Sequence, residues 1–345
     1  MAETDTEVTP RRPPRRGIAL AQNLGLLVAT VVGFGLILEL TLRLSGFTFV
    51  LYPEDIEFGR PDPVLLEKAF LEDDDLFWVT RDYPDKLARL AEERPPWILL
   101  GDSCTHLGRY DEAVARWVAE RRGVPPRFGN LGVAGWSSAQ GRRQLERDVV
   151  PLAPEVVTIY YGWNDHWIGF GIEDKTIAQL KRVFSSRWSG LRSVQLVSKA
   201  VVAWGARDTA YPNRVSLEDF RDNHRQMVRT ARAAGIEPVL ITAATSHRQG
   251  EEPEHLTQRW LRELSDLVPL HQSYVEALRQ VAAEEGAVLC DPAAELDGLP
   301  REEQRRLFLD DGIHFTPEGD ARLGEIIGRC LDDAGLLDRV APRIR

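Results

Sequence analysis

Four short groups of residues in this sequence carry side chains suited to acyl transfer. They are Gly101-Asp102-Ser103, the stretch "GNLGVAG" (129–135), Gly162-Trp163-Asn164-Asp165, and Asp311-Gly312-Ile313-His314. A serine hydroxyl becomes a nucleophile when a base removes its proton, and the pKa of histidine suits that task near neutral pH. The sequence therefore offers the components of a serine-dependent acyl-transfer site.

The remaining components of such a site are a partner for the histidine and donors for the oxyanion. Asp311 is close enough in sequence to His314 to fix its tautomer and stabilise the imidazolium. A backbone N–H at a glycine and the side-chain amide of an asparagine are suitable oxyanion donors. Asp310 is an alternative partner for the histidine, and His106 is an alternative base because it lies near Ser103 in the chain.

Five short apolar runs predict the strands that position these groups. They are residues 97–101, 127–132, 156–162, 238–243 and 287–291. The runs are too continuous for half-exposed strands, which favours a parallel sheet covered on both faces. Helix patterns alternate with them: one begins at a Ser216 cap, and another at Thr316-Pro317. This alternation predicts a doubly wound α/β domain, in which ligands lie beyond the carboxyl ends of the strands.

The four groups, in this order and at predicted strand ends, resemble the signature blocks of the SGNH hydrolases, also called GDSL esterases. The resemblance covers roughly residues 95–335. It implies a three-layer α/β/α flavodoxin-like fold with a five-stranded parallel sheet and no metal or other cofactor. It also implies that Ser103 attacks the acyl carbon, that His314 is general base and then general acid, and that Asp311 orients His314.

The same resemblance implies the rest of the site. The oxyanion hole would consist of the N–H groups of Ser103 and Gly132 and the side chain of Asn164, while Asp102 braces the nucleophile turn. One departure from the family pattern is Cys104-Thr105-His106, which replaces the usual hydrophobic continuation after the serine.

A second serine motif competes with this assignment. "GWSSA" (135–139) approximates the G-x-S-x-G nucleophile elbow, which would make Ser137 the nucleophile. That reading leaves the Gly-Asp-Ser block and the Asn164 block unexplained. Ser137 or Ser138 is better explained as the cap of the following helix.

The N-terminus predicts a membrane anchor. Four arginines precede an uncharged stretch from Gly17 to Leu38, close to the ~20 residues that a helix needs to cross a bilayer. The alternatives are a signal peptide, although no convincing cleavage site follows Leu44, and a buried helix of a soluble protein. The arginines place the N-terminus in the cytoplasm and the large domain outside. Glu39 and Arg43 are spaced to pair along one helix face.

These features divide the chain into segments. We expect a cytoplasmic basic tail (1–16), a transmembrane anchor (17–44), a juxtamembrane segment (45–94), the catalytic domain (95–335) and a C-terminal tail (336–345). Within the domain, the stretch 166–215 shows no clear element and is expected to be an insertion or lid.

Composition limits the function further. With 345 residues, 43% of them hydrophobic, the chain can bury one large core, and its net charge of −10 argues against general nucleic-acid binding. The three cysteines, Cys104, Cys290 and Cys330, form no CxxC pair and no zinc spacing. One disulfide is compatible with them, but the apolar positions of Cys290 and Cys330 favour two separate core side chains.

Trp163 and Trp167 are candidate substrate-binding residues, because they cluster with Tyr161 and Phe170 after the third predicted strand. Exposed rings there would stack on a sugar or line an acyl pocket, whereas buried rings would pack the lid against the core. The sequence leaves both interpretations open.

The sequence as a whole predicts a membrane-anchored, extracytoplasmic serine esterase. Its expected substrate is an acyl ester, O-acetyl esters included, of a glycan, a lipid or a small molecule. An O-acyltransferase that modifies an envelope glycan with the same triad is the first alternative, because only acceptor binding and water exclusion separate the two. A non-catalytic binding or scaffold protein is the second, although a scaffold has no need of a nucleophile, a base and oxyanion donors together.

Overall fold

A computed structural model describes residues 16–49, 69–168, 173–183, 190–205, 212–256 and 260–341. The predicted tail over 1–16 therefore lies outside the described residues except for Arg16, as do part of the juxtamembrane segment, part of the predicted lid, and Phe170.

The chain begins with a long apolar helix and a small hairpin before the main sheet. Helix α1 (Arg16–Leu44) is followed by strands β1 (Phe70–Asp73) and β2 (Phe77–Thr80), which pair antiparallel, and by α2 (Tyr83–Glu93). The stretch Gln22–Leu44 is long and apolar enough to cross a membrane, with a mean hydropathy of 2.1 and no buried part. By length and composition alone, such a helix near the N-terminus fits a membrane span or a signal sequence.

The C-terminal end of α1 makes hydrogen bonds both within α1 and to a later helix. The predicted pair forms, with Arg43 Nε 2.8 Å from Glu39 Oε1. Glu39 also accepts hydrogen bonds from the backbone N–H groups of Arg192 and Ser193, at 3.0 and 2.8 Å. A carboxylate at a helix N-terminus satisfies donors that have no partner within the helix, so Glu39 joins α1 to the start of that helix.

The main sheet confirms the predicted α/β architecture. Its five parallel strands are β3 (Trp97–Gly101), β4 (Phe128–Asn130), β5 (Val156–Tyr160), β6 (Glu237–Ile241) and β7 (Val288–Cys290). The strand order is β4-β3-β5-β6-β7. Every residue of β3 and β5 is buried, as the continuous apolar runs predicted. A fully buried Leu or Ile side chain contributes roughly 1.5–3 kcal/mol.

Helices cover both faces of the sheet. In chain order, the helices that follow α2 are α3 (Ser103–His106), α4 (Tyr110–Arg122), α5 (Ser138–Gln144), α6 (Asp174–Val183), α7 (Arg192–Gly205), α8 (Leu217–Ala233), α9 (Leu267–Glu285), α10 (Pro292–Asp297), α11 (Arg301–Leu307), α12 (Pro317–Asp333) and α13 (Leu337–Val340). Helices α5, α8 and α9 contribute to one core and α4 and α12 to the other, which gives three layers. Ser216 caps α8 and Thr316 caps α12, as predicted.

The folded domain is larger than the predicted 95–335. Leu76 and Trp78 of the hairpin are 0% and 1% exposed, so the end of the juxtamembrane segment is part of one core. Leu337 and Val340, expected in a tail, are buried in the other core. In both segments apolar side chains find tertiary partners that no local periodicity reveals.

The prediction of unpaired core cysteines at Cys290 and Cys330 is wrong. The two form a disulfide with a Cα–Cα distance of 5.5 Å. Cys290 ends β7 and Cys330 lies on α12, which packs against that strand, so the fold brings together residues 40 positions apart. Cys104 is free and buried.

Candidate active site

The catalytic serine, histidine and aspartate predicted from the sequence lie in one hydrogen-bonded chain. Ser103 is the first residue of α3, directly after β3. His314 Nε2 lies 2.8 Å from Ser103 Oγ, and His314 Nδ1 lies 2.6 Å from Asp311 Oδ2. With a proton on Nδ1, Nε2 is free to accept the serine proton, which is the arrangement that nucleophilic attack requires.

A tight turn holds the aspartate against the histidine. Asp311 Oδ1 accepts the backbone N–H groups of Ile313 and His314, at 2.8 and 2.9 Å. Gly312 has φ +71, and a Cβ there would lie 2.6 Å from His247 Nε2, so glycine is required at this position. The turn leaves Oδ2 of Asp311 directed at the imidazole.

Electrostatics adjust this pair for proton transfer. Burial disfavours the charged imidazolium, but the hydrogen bond and negative charge of Asp311 outweigh it and raise the pKa of His314 above its ordinary value. Burial likewise favours protonation of Asp311, but the hydrogen bonds from His314 and the turn prevail and lower its pKa. Asp311 therefore stays ionised and strengthens His314 as a base.

Asp102 connects the nucleophile turn to the predicted oxyanion asparagine. Its Oδ1 accepts the N–H of Cys104 at 3.0 Å, and its Oδ2 accepts Asn164 Nδ2–H at 3.1 Å. The carboxyl is 1% exposed, and burial raises its pKa to about 6. One hydrogen of the Asn164 amide is thereby fixed, which leaves the other for a substrate oxygen.

The assignment of Gly132 to the oxyanion hole does not fit the structure. Its N–H donates to Asn130 Oδ1 at 2.9 Å, so that donor is already used. An asparagine side chain often bonds the backbone N–H two residues on, and the Asn130-Leu131-Gly132 spacing carries this signal. By contrast, the N–H of Ser103 has no hydrogen-bond partner among the described residues.

Gly135 offers the missing backbone donor, and the sequence analysis did not identify it. It has φ +79 at the turn closed by the bond from Trp136 N to Val133 O. Within the described parts of the chain its N–H has no partner. Val133 N–H donates to Gly101 O at 3.0 Å, which holds this turn beside the nucleophile. The Asx pattern at Asn130 could have excluded Gly132, but the turn at Gly135 is visible only in three dimensions.

The competing bases and nucleophiles have other roles. His106 Nδ1 accepts the N–H of Ala134 at 3.3 Å, and burial lowers the pKa of His106. Ser137 is 0% exposed, donates to Asp174 Oδ2 at 2.6 Å, and caps α5 in a capping box. Asp310 is exposed, while the adjacent Asp311 holds the imidazole.

The two candidate substrate-binding tryptophans are core residues, so of the two interpretations that the sequence left open the structure supports packing against the core and not substrate binding. Trp163 and Trp167 are 1% and 0% exposed. Trp163 stacks on His271 with ring centroids 3.9 Å apart, and Trp167 stacks on Trp163 at 5.8 Å. A ring must expose a face to stack on a sugar, and these faces are covered by protein.

The described residues contain no group of three or more His, Cys, Asp or Glu side chains arranged to hold a metal ion.

Comparison with known proteins places the chain in a family. The model described as "GDSL-like Lipase/Acylhydrolase family" matches residues 99–322. The isoamyl acetate-hydrolyzing esterase of Saccharomyces cerevisiae is 28% identical in an alignment of length 154 that covers 39% of this chain and 60% of the yeast protein. The alignment thus spans less than two thirds of that relative's length.

The solved structures that are similar to this chain include two with low sequence identity. The lipase/acylhydrolase from Enterococcus faecalis matches with 18% identity and a TM-score of 0.46, covering 72% of this chain and 99% of that one. The acetylxylan esterase Axe2 from Geobacillus stearothermophilus matches with 17% identity and a TM-score of 0.44, covering 72% and 97%. On the match over residues 99–322, this chain belongs to the GDSL-like lipase/acylhydrolase family of ester-hydrolysing enzymes.

Proposed function

We propose that this protein is a membrane-anchored serine esterase that hydrolyses acyl esters through Ser103, His314 and Asp311, with its catalytic domain outside the cytoplasm. The observation that carries the proposal is the continuous chain from Ser103 Oγ through both ring nitrogens of His314 to Asp311, at 2.8 and 2.6 Å. Family membership gives the reaction class, and this geometry supports the proposal that these three residues perform it.

The proposed reaction has two halves. Ser103 Oγ bonds to the acyl carbon while its proton moves to His314 Nε2, and the carbonyl electron pair moves onto oxygen. The N–H groups of Ser103 and Gly135 and the amide of Asn164 stabilise that oxyanion. The intermediate then breaks its bond to the alcohol, which leaves with the proton from His314. In the second half, a water molecule gives a proton to His314 and its oxygen bonds to the acyl carbon. The bond from that carbon to Ser103 Oγ then breaks, Oγ takes the proton back from His314, and the acid leaves.

The substrate proposal is an ester with a short acyl group, such as acetyl. It is supported by the name of the yeast relative, an isoamyl acetate-hydrolyzing esterase, which shares 28% identity with part of this chain. The alcohol component, in this proposal, belongs to a glycan, a lipid or a small molecule of the cell envelope, because an anchored domain meets such molecules at the membrane.

Two observations support the proposed location. Four arginines precede the apolar stretch of α1, which favours a cytoplasmic N-terminus. The Cys290–Cys330 disulfide is typical of proteins in oxidising compartments and is rare in the cytosol.

The first test measures hydrolysis of p-nitrophenyl acetate, butyrate and octanoate by the full chain in detergent micelles. Ser103→Ala and His314→Ala are expected to lower kcat by about 10³-fold or more, because each removes a member of the triad. Ser137→Ala is the matched control, since it removes a buried serine hydroxyl outside the triad and should retain activity. The proposal fails if folded wild-type protein cleaves none of the esters and does not react with a fluorophosphonate.

The second test concerns topology. A phosphatase reporter that matures only in an oxidising compartment, fused after Arg345, is expected to be active, and a reporter that matures only in the cytoplasm is expected to be inactive. The opposite pattern would overturn the proposed location and leave the catalytic proposal intact.

A further inference from the structure

The β1–β2 hairpin contacts the peptide group that presents the proposed oxyanion donor. Trp78 of β2 is 1% exposed, and its indole Nε1–H donates to the carbonyl oxygen of Ala134 at 3.1 Å. That carbonyl belongs to the peptide between Ala134 and Gly135, whose N–H is the donor assigned above to the oxyanion hole. The hydrogen bond therefore acts on the same rigid planar group as the substrate oxyanion.

The planar trans peptide between Ala134 and Gly135 links the direction of its C=O to the direction of its N–H. Its C=O and N–H point in opposite directions, so fixing the oxygen on the indole fixes where the Gly135 N–H points. A hydrogen bond accepted by a peptide oxygen also polarises the group and strengthens its N–H as a donor. Trp78 contacts the oxygen side of this peptide, opposite the N–H of Gly135 that is proposed to meet the oxyanion.

Several further bonds hold the hairpin in this place. Trp136 Nε1–H donates to Trp78 O at 2.9 Å, and Gln140 Nε2–H donates to Leu76 O at 2.9 Å. Phe77 has φ +70, and Trp78 N–H bonds to Leu76 O across it, which is a strained γ-turn. A strained backbone conformation persists only where the surrounding contacts hold it in place. The bonds to Leu76 O and Trp78 O hold the backbone before and after Phe77 and so fix the position of Trp78.

A second side chain secures the next peptide. Arg214 Nη1 donates to the carbonyl of Gly135 at 2.6 Å, and its guanidinium lies 5.9 Å from the centre of the Trp78 ring. Arg214 is 7% exposed and is paired with Asp174 at 3.0 Å. Both peptides that flank the Gly135 α-carbon are thus held through their oxygens, one by the hairpin and one by the predicted insertion.

From these contacts we infer that Trp78 is a positioning residue of the oxyanion hole, and that the hairpin preceding the family-matched region is part of the catalytic apparatus. The family match begins at residue 99, so the hairpin that carries Trp78 lies outside the matched region. The inference rests on the proposed function, because it needs the Gly135 N–H to meet an oxyanion. It predicts that loss of the indole N–H weakens transition-state stabilisation while substrate binding is unaffected.

The test compares two Trp→Phe variants of the full chain in micelles. Trp78→Phe keeps an aromatic ring and removes the N–H. Trp97→Phe is the matched control, because Trp97 is 0% exposed and its Nε1–H bonds to the Thr158 hydroxyl in the sheet, at 3.4 Å. We expect Trp78→Phe to lower kcat for p-nitrophenyl acetate about tenfold with KM unchanged, while Trp97→Phe stays within about twofold of wild type.

A measurement on the unmutated protein covers the case in which Trp78→Phe does not fold. Boronic acids form a tetrahedral adduct with a catalytic serine, and this adduct resembles the oxyanion intermediate. In protein carrying ¹⁵N-labelled tryptophan, phenylboronic acid is expected to shift the indole N–H resonance of Trp78 and to leave that of Trp97 unchanged. The resonances are assigned from Trp97→Phe and the other single Trp→Phe variants.

The outcomes separate this inference from the proposed function. Equal kcat values for the two variants, or an effect of Trp78→Phe on KM alone, would overturn the positioning role, as would an unshifted Trp78 resonance in the adduct. In each of these cases the Ser103→Ala result still decides the proposed esterase mechanism, because that variant does not depend on the hairpin.

Discussion

His314 Nε2 lies 2.8 Å from Ser103 Oγ although the two residues are 211 positions apart in the chain. Ser103 is fixed by the end of β3, a fully buried central strand. His314 is fixed by the bond from Leu309 N–H to its carbonyl at 2.8 Å, beside a bridge between Phe308 and Phe315. The nucleophile thus depends on the sheet and the base on a loop, and the distance between them depends on how that loop packs.

The role of Asp311 as the partner of His314 can be distinguished from the general effect of a negative charge near the site, because Asp310 is a second carboxylate beside it. Asp311→Asn is expected to lower kcat by about 10³–10⁴-fold, because the amide no longer holds His314 in the required tautomer. Asp310→Asn is the matched control: it removes an adjacent, exposed carboxylate and should leave kcat within about twofold of wild type. Steady-state kinetics on p-nitrophenyl acetate decides the point, and equal losses in the two variants would contradict the assignment.

The activity should rise with pH through the pKa of His314. The base must be neutral to take the Ser103 proton, and Asp311 raises the pKa of His314 above its ordinary value. The acid limb of kcat/KM is therefore expected above the ~6.5 of an unperturbed histidine. In Asp311→Asn the raising interaction is absent, so the limb of the residual activity should move to lower pH. A limb that stays in place would show that another group controls the ionisation.

Asn164 supplies an oxyanion donor in the proposed mechanism, and its removal should affect kcat more than KM. Asn164→Ala is expected to lower kcat by about 10²–10³-fold, the cost typical of one lost donor. Asn223→Ala is the control, because Asn223 is also a buried amide and donates to Ser138 Oγ at 3.0 Å, outside the hole. A loss in Asn164→Ala that appears only in KM would mean that the amide binds substrate and transition state equally.

Local pattern was sufficient to predict the sheet, and it singled out Ser103, His314 and Asp311, which the fold brings together. Strands buried on both faces are continuous apolar runs, and "WILLG" and "VVTIY" are strands in the structure with every residue buried. In a parallel sheet the carboxyl ends of strands meet at one edge, so the positions of Ser103 and Asn164 followed from the strands themselves. The Asp311–His314 spacing indicated a candidate base and its partner, and the two side chains are in hydrogen-bond contact.

The features that sequence did not reveal depend on contacts between distant segments. The bond from Gly132 N–H to Asn130 spans only two residues and has a local signal, whereas the turn at Gly135 is held by the bond from Val133 N–H to Gly101 O at the end of another strand. Trp163 and Trp167 follow a strand end just as exposed residues would, but the chain folds over both of them. The hydrogen-bond partner of the hairpin residue Trp78 has no local signal, because Ala134 is 56 residues away.

Loss of the Cys290–Cys330 disulfide should destabilise the domain without altering the active site. The bond joins β7 to α12 across 40 residues, and by the loop-closure argument such a cross-link contributes about 2–4 kcal/mol. The double variant Cys290→Ser/Cys330→Ser is expected to unfold at lower denaturant concentration than wild type, with kcat of the folded protein unchanged. Dithiothreitol should destabilise wild type to a similar extent and leave the double variant unaffected, which is the internal control because Cys104 remains in both. If dithiothreitol destabilises both proteins equally, the reductant acts elsewhere and the disulfide does not stabilise the fold.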